Sequence, residues 1–340
     1  MSGFWNNMVQ LIGVDLGSSM IRIWTSTNGE IFREPAFLAV ETATKKVIAV
    51  GAEAAAMRGR VLSGVEVIQP IQQGKIYDYH SAKALLKIYL ERMVVRVPFA
   101  PKKVMVSVPA SKTEVSQHVL TDLFYSLGAS EVYTISSPLA ASIGAGVPIA
   151  DASGTIITQF GADLVETAVI SLGSVVASRS TRKAGNYCTQ RIQYELKRKK
   201  ELLVAFETAQ KLKHEIASLD KLTQKQQLVA GKDSLKGNPR EITITTKDLA
   251  HQLLKVFDHY ERLITDMLTT IPPELTVDIV DKGILLSGGG AALHGLSQHF
   301  TDRLGVPVSL VDDADDVVLK GIIVALENLR EFKDSLGYSS

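Results

Sequence analysis

The sequence holds one cysteine, Cys188, in 340 residues, so no internal disulfide can form. That excludes a disulfide-stapled scaffold and agrees with a reducing compartment. No His or Cys lies at ligand spacing from Cys188, which therefore reads as an ordinary thiol of the core or surface rather than part of a zinc site. An excess of either charge is also missing. Lys+Arg 37 balance Asp+Glu 36, a net charge of +1, which argues against a nucleic-acid binder that works by bulk positive charge. No apolar run approaches the roughly 18 residues that would span a bilayer. The opening stretch MSGFWNNMVQ has no basic region and no long apolar region, so it does not read as a secretory signal.

What remains is 46% hydrophobic and 21% charged, ordinary for a globular chain, and its length suggests two domains. The stretch VQLIGVDLG reads as a strand that breaks at Gly17-Ser18-Ser19 and resumes as MIRIWTS, with Ile21 and Ile23 alternating against Arg22 and Trp24. Strands are expected at 36–40 and 46–50, a helix over SAKALLKIYLERMVV and a strand over KVMVSVP. Ser111 and Glu114 have capping-box spacing ahead of a helix that ends at Gly128. After the strand EVYTI, Ser137 reads as the N-cap of a helix with Pro138 in its first turn, and the small residues of SSPLAASIGAG suit close approach to other backbone.

The chain then starts over. TIITQFGADLVETAVIS reads as a second hairpin, so that Gln159-Phe160-Gly161 echoes Asp15-Leu16-Gly17. A helix follows over FETAQKLKHEIASL, with Phe206, Ala209, Leu212, Ile216 and Leu219 on one side and Gln210, Lys213 and His214 on the other. The lysine-rich stretch 221–240 reads as a loop or small excursion, and a long helix runs from about Asp248 to the Pro272-Pro273 break. The strand KGILLS feeds Gly288-Gly289-Gly290 and a helix over AALHGLSQHFTDRLG; a short strand and a terminal helix from about Val317 close the chain. Alternation of strands and helices gives the α/β class.

Three glycine turns stand out: Asp15 to Ser19, Gly161 to Asp163, and Gly288 to Gly290. Each taken alone is a tight turn. Together they suit a polyphosphate, since glycine admits close approach and helix N-termini favour anions. On IGVDLGSSMIRIW, REPAFLAV, VIAVGAEAAAMRGR, SSPLAASIGAGVPI, TAVISLGSVVASRS, TAQKLKHEIAS and GILLSGGGAALHGL, the chain resembles the bacterial actin homologue MreB family, of the actin, Hsp70 and sugar-kinase superfamily, over roughly residues 10 to 330.

The resemblance implies an actin-like, ribonuclease H-like duplicated fold: two domains, each with a smaller subdomain, around a cleft for ATP and Mg2+. Domain I would span 1–143, with subdomain IA at about 9–31, 67–143 and 317–336 and IB at about 32–66. Domain II would span 144–316, with IIA at about 144–180 and 247–316 and IIB at about 181–246. The phosphate loops would be Gly17, Ser18, Ser19 and Met20, and Gly161, Ala162 and Asp163. Asp15 would hold the metal through water. Gln210 and Lys213 would sit beside the adenosine, and Gly288, Gly289 and Gly290 under the base.

Several residues depart from the family pattern. Its second phosphate loop, Asp-x-Gly-Gly-Gly-Thr, is here Gln159 to Leu164, with Ala162 and Asp163 in place of two glycines. The glutamate that would orient an attacking water is Ser137, and the glutamate of the adenosine helix is Gln210. A carboxylate about 4 Å from a phosphate charge costs roughly 4 kcal/mol at an effective dielectric of 20, unless a metal lies between them. Asp163 therefore reads either as a solvent-facing turn residue or as a rewired metal ligand. Hydrolysis is expected to be weak or lost.

Val94 to Phe99, with Val97, Pro98 and Phe99 at the tip, is flanked by Arg92, Arg96, Lys102 and Lys103. It reads as a membrane-inserting loop or as a buried strand edge; the resemblance favours the first. Phe4 and Trp5, with Met8 and Val9, add a second apolar patch. The basic run Lys197 to Lys200 reads as a solvated helix face, not a nucleic-acid site. The leading expectation is a cytoplasmic filament protein at the inner face of the cell membrane. Its partners would be itself, in a double filament, the membrane surface, and cell-wall or division machinery proteins. The alternatives are an active ATPase or kinase on the same fold and a non-polymerising scaffold.

Overall fold

The computed structural model describes residues 9–60, 63–93, 100–332 and 337–339. The chain forms two compact units: Met1–Ser153, Ile170–Val176 and Asp315–Ser340 in the first, Gly154–Val169 and Ala177–Ala314 in the second.

The first unit opens with the hairpin β1 (Gln10–Leu16) and β2 (Met20–Thr25), followed by β3 (Ile31–Pro35). A small excursion carries β4 (Leu38–Glu41), β5 (Val47–Val50), α1 (Ala52–Met57) and β6 (Val65–Ile68), and β7 (Ile71–Gln72) pairs with β8 (Lys75–Ile76). Then come α2 (Tyr79–Met93), β9 (Lys102–Val108), α3 (Glu114–Ser126), β10 (Glu131–Ser136) and α4 (Ser137–Gly144).

The second unit has β11 (Thr155–Phe160), most of β12 (Val165–Ser171) and of β13 (Ser174–Thr181), whose facing ends within Ile170–Val176 fall in the first unit, then α5 (Gly185–Lys200), β14 (Leu202–Leu203), α6 (Phe206–Glu215), β15 (Gln226–Asp233) and β16 (Pro239–Thr245). It continues with α7 (Thr246–Leu268), α8 (Pro273–Lys282), β17 (Ile284–Ser287), a 3-10 turn (Gly289–Ala292), α9 (Leu296–Leu304) and β18 (Val308–Leu310). The first unit is completed by α10 (Val317–Glu327), α11 (Leu329–Phe332) and β19 (Gly337–Ser339).

The two large sheets share one plan. The first runs β3-β2-β1-β9-β10 with β19 added at the edge, and the second runs β13-β12-β11-β17-β18. In both, the strand that opens the hairpin pairs in parallel with the next core strand: β1 with β9, and β11 with β17. The echo heard in the sequence at Gly17 and Gly161 is thus an echo of topology. Ile12, Val14, Ile21 and Ile23 bury against Leu85, Leu86 and Phe124 in the first unit. In the second, Phe160 stacks with Phe257 and Phe300 and meets Tyr260 edge-on, directly beneath the second turn. Cys188 is buried there, its Sγ 3.5 Å from the Tyr260 hydroxyl.

The small residues of α4 do bring backbones together. A Cβ on Gly144 would overlap the Val317 carbonyl, and one on Gly321 the Ala140 carbonyl, so α4 and α10 pack backbone to backbone.

Four expectations need correction. The capping box of α3 is Thr113 with Ser116, not Ser111 with Glu114: Thr113 Oγ1 accepts from Ser116 N at 3.2 Å, and Thr113 N donates to Ser116 Oγ at 3.1 Å. The N-cap of α4 is Ser136; Ser137 is the first helical residue and its hydroxyl donates to the Val108 carbonyl. The stretch 221–240 holds most of the β15–β16 hairpin, where only alternate residues such as Val229 and Ile244 are buried. The helix after Gly288-Gly289-Gly290 is broken: a 3-10 turn comes first, and Gly295, at φ 78°, starts α9 against the backbone of Asp220.

Candidate functional site

The tight turn at Gly17 sets the register of β1 on β2, and that register puts Arg22 opposite Asp15. Arg22 Nη1 lies 3.4 Å from Asp15 Oδ2. The other oxygen, Oδ1, accepts from Ser107 Oγ at 2.8 Å, and Ser107 Oγ itself accepts from Leu16 N at 3.1 Å, which directs its proton to Asp15. Asp15 is only 8% exposed. Burial pushes its carboxyl above the ordinary value, against the opposing pull of the Arg22 guanidinium and the Ser107 hydroxyl.

Arg22 is held from its far side too. Its Nε donates to Asp316 Oδ1 at 2.9 Å, at the N-cap of α10, and Arg33 takes both Asp316 oxygens. The hydrogen bond from Arg33, with the charges of both guanidiniums, holds the Asp316 carboxyl below its ordinary value despite partial burial. The rest of the turn is tied down by backbone: Ser18 O accepts from Gln69 Nε2 at 2.7 Å, and Ser19 O from Ala36 N at 2.9 Å. Met20 begins β2, opposite Pro35.

In the second hairpin the acceptors turn toward α5. Gly161 O accepts from Gly185 N at 3.1 Å and Ala162 O from Asn186 N at 2.7 Å. Asp163 Oδ1 accepts from Asn186 Nδ2 at 2.7 Å. The turn is thus the cap of α5, since the first amides of a helix have no partner inside it. Asp163 is half-buried and paired, not the free solvent-facing residue that was one of its two expected readings; a carboxylate beside a helix N-terminus is also favoured by the helix dipole.

The glycines have a local cause. A Cβ on Gly17 would overlap Met20 O, and one on Gly161 would come within 2.8 Å of Leu164 O. Both turns therefore require glycine to close on themselves. Gly288 would meet Phe160 O at 2.7 Å and Gly290 the Phe160 Cβ at 2.9 Å, so the third turn packs on the end of β11; Gly289 between them is exposed.

Lys213 Nζ donates to Gly185 O at 2.9 Å and Thr189 Oγ1 at 3.0 Å, clamping the start of α5. Burial pushes its ammonium below the ordinary value. Gln210 lies half-buried one turn earlier on α6. In the second unit, then, Gly161, Ala162, Asp163, Lys213, Gly288 and Gly290 converge around the end of β11. Asp15 and the first turn belong to the first unit, as does Ser137. Phe4, Trp5, Val97, Pro98 and Phe99 lie outside the described residues.

A nucleotide and a divalent cation fit these residues differently. Gln159 Oε1 and Ser287 Oγ are buried on adjacent strand ends, with no hydrogen-bond partner among the described residues. Such atoms call for a polar ligand or water, so the end of β11 suits a polar group. A divalent cation does not fit Asp15, whose oxygens face Ser107 and Arg22. Among the described residues, no group of three or more His, Cys, Asp or Glu side chains is placed to hold a metal. No general base stands at Ser137, whose hydroxyl is spent on a backbone carbonyl.

Sequence reasoning passed over Arg22, Asn186 and Asp316. Arg22 was within reach: a hairpin turning at 17–19 pairs 16 with 21 and therefore 15 with 22. Asn186 and Asp316 carry no local signal, because their partners lie 23 and 294 residues away.

The fold is that of the actin-like proteins. The chain superposes on the crystal structure of MreB 5 of Spiroplasma citri bound to AMPPNP with a TM-score of 0.92 and 28% identity, covering 96% of this chain and 98% of that one. The MamK double helical filament matches with a TM-score of 0.80 over 94% and 98% of the two chains; at 21% identity this likeness concerns the fold alone. A model of the MreB/Mbl protein family matches residues 9–334, and the chain belongs to that family. Among curated relatives, the cell shape-determining protein Mbl of Bacillus subtilis (strain 168) is 32% identical, over 94% of this chain and 96% of its own. The cell shape-determining protein MreB of Escherichia coli (strain K12) is 31% identical, over 93% of each.

Proposed function

We propose that this protein is a cytoskeletal filament former of the MreB type that helps determine cell shape. The observation that carries this reading is likeness over nearly the whole chain, in sequence to proteins named for cell-shape determination and in fold to an MreB. That MamK is solved as a double helical filament supports self-association through the same fold. Nucleotide binding is part of the proposal, because the MreB 5 relative is solved with AMPPNP and with ADP. The residues that would hold the nucleotide here are those of the two turns, Lys213, Gln210 and the Gly288–Gly290 turn, with Gln159 and Ser287 offering unpartnered polar atoms. Hydrolysis is weak or lost in this reading, as Ser137 offers no base. The subdomain division given above, with small subdomains at about 32–66 and 181–246, belongs to the same reading.

The protein would act in the cytoplasm, at the inner face of the membrane, with Phe4, Trp5, Val97, Pro98 and Phe99 as its contacts. No helix among the described residues is long and apolar enough to cross a membrane. Sedimentation of the purified chain with and without ATP, and with and without liposomes, tests the proposal. Pelleting with filaments visible by electron microscopy is expected. A chain that stays monomeric or dimeric in every condition is instead the non-polymerising scaffold.

A further inference from the structure

Charge is spread unevenly along this nearly neutral chain. The segment 182–245, from α5 to β16, holds 14 Lys and Arg against 7 Asp and Glu, a net +7, and the remainder of the chain is net −6. Such asymmetry bears on what a surface associates with, not on the fold. Local ion pairs absorb part of the excess: Arg198 and Lys199 meet Glu195, Lys200 meets Asp248, and Arg240 meets Asp233. Lys221, Lys232 and Lys236 are exposed and form no ion pair among the described residues.

These lysines surround one uncovered sheet face. In β15, Val229 and Asp233 are buried, so Leu228, Ala230 and Lys232, which are exposed, point the other way. Register sets exposed Leu203 of β14 beside Lys232, and Thr243 and Glu241 of β16 beside Leu228 and Ala230. Glu241 is the one carboxylate at the outward positions of these strands. Both ends of β15 repeat a pattern: Leu222, 87% exposed, lies between Lys221 and Lys225, and Leu235, 75% exposed, between Lys232 and Lys236. Each leucine is presented on fixed backbone, since Leu222 N donates to Asp220 Oδ1 and Leu235 N to Asp233 Oδ1, both at 2.9 Å. Folding gains nothing from leaving these leucines in water. Leucine flanked by lysine suits the boundary of an anionic bilayer, where the apolar side chain enters and the ammonium stays at the headgroups. The leucines are also strung along an eight-residue strand instead of gathered in one patch. A fluid bilayer accepts such scattered insertions, whereas a protein surface needs a matching pocket for each.

We propose that the outward face of the β14–β16 sheet, with Leu222 and Leu235 at its ends, is a docking surface for an anionic lipid bilayer. Its residues are separate from Phe4, Trp5, Val97, Pro98 and Phe99, and it stands whether or not those residues touch a membrane.

The test is flotation of the full chain with vesicles of phosphatidylglycerol and phosphatidylcholine, and with vesicles of phosphatidylcholine alone. The background carries Phe4→Ser, Trp5→Ser, Val97→Ser and Phe99→Ser, which silences the other proposed contact. Binding to the anionic vesicles alone is expected to persist there. Reversing Lys221, Lys232 and Lys236 together to Glu should lower the vesicle partition at least about tenfold, since each lysine near an anionic surface is worth roughly fivefold. Leu222→Ser with Leu235→Ser, which leaves the charge unchanged, should lower it at least about threefold. Reversing Lys46, Lys75 and Lys87, exposed lysines of the first unit, changes net charge equally and should cost less than about twofold. Circular dichroism reports folding; if the first reversal does not fold, the leucine pair decides. No binding in the background overturns the inference, as do equal losses from the two lysine sets or no loss from the leucine pair. Unchanged vesicle binding in the first reversal, with lipid-free pelleting lost, assigns the face to another copy of the chain and also overturns it. The effect of the background substitutions on the unaltered chain reports on the other contact, so the two can fail separately.

Discussion

The β1–β2 and β11–β12 hairpins close on glycines whose Cβ positions are crowded by the carbonyl three residues on, Met20 in one and Leu164 in the other. They sit at equivalent places in two sheets of the same strand order. Their side chains then part company. The first turn is locked by charge, with Arg22 between Asp15 and Asp316; the second is locked by capping, with the carbonyls of Gly161 and Ala162 and the carboxylate of Asp163 serving α5. The backbone plan survives a complete change in what the side chains do with it. Glycine at these turns therefore reports the fold, while the residues around it report the chemistry.

The largest effect should come from breaking what the turns share. Gly17→Ala forces an outright overlap and is expected to cost roughly 3–4 kcal/mol, whereas Gly161→Ala, with 2.8 Å available, should cost roughly 1–3 kcal/mol. Urea midpoints measure both, and harmless substitutions at both sites would remove the common explanation. Next, Arg22→Leu should lose roughly 2–4 kcal/mol in thermal unfolding, since it leaves Asp15 buried beside Ser107 alone. A loss below about 0.5 kcal/mol, the level of an ordinary surface change, would mean the charge lock contributes nothing. For the second turn, a double-mutant cycle on Asp163→Ala and Asn186→Ala should give a coupling of about 1.5–3 kcal/mol, the range for a hydrogen bond to a charged group. Additive single costs would unlink Asp163 from α5.

The smallest effect is a control outside both turns. Glu195 on α5 is penalised by burial, but hydrogen bonds from Lys199 and Arg198 outweigh this and hold its carboxyl at about 2, against an ordinary 4.5. A carboxylate shifted down on folding contributes stability that is present above pH 4.5 and lost as pH falls toward 2. Glu195→Gln should flatten that acid limb by about 1 kcal/mol, because its cationic partners are exposed to solvent. Equilibrium unfolding between pH 2 and 6 reads it; an acid limb of unchanged slope would show that the pair carries none of it.

Local pattern made much of this legible in the sequence. Period-two alternation marked both hairpins, small residues marked the close helix pair, and the glycine turns marked the ends of β1, β11 and β17. What stayed hidden was non-local or masked by polarity. The β15–β16 hairpin buries only alternate residues, so its glutamines and lysines read as loop. Helix α5 shows Cys188, Ile192 and Leu196 to the core amid a basic sequence, and only the basic run was visible. Gly295 breaks the expected long helix because Asp220, far away in sequence, leaves no room for a side chain. At the site, the identities of Asp15 and Asp163 were plain, but their partners Asp316 and Asn186 are brought to them by the fold.

The function proposed above joins filament assembly to weak or absent ATP hydrolysis. Phosphate release measured in the same sample that is being pelleted, with ATP present, tests this most directly. Filaments that sediment with no phosphate above the nucleotide-only control are predicted; phosphate release that rises in step with the pelleted fraction would contradict it.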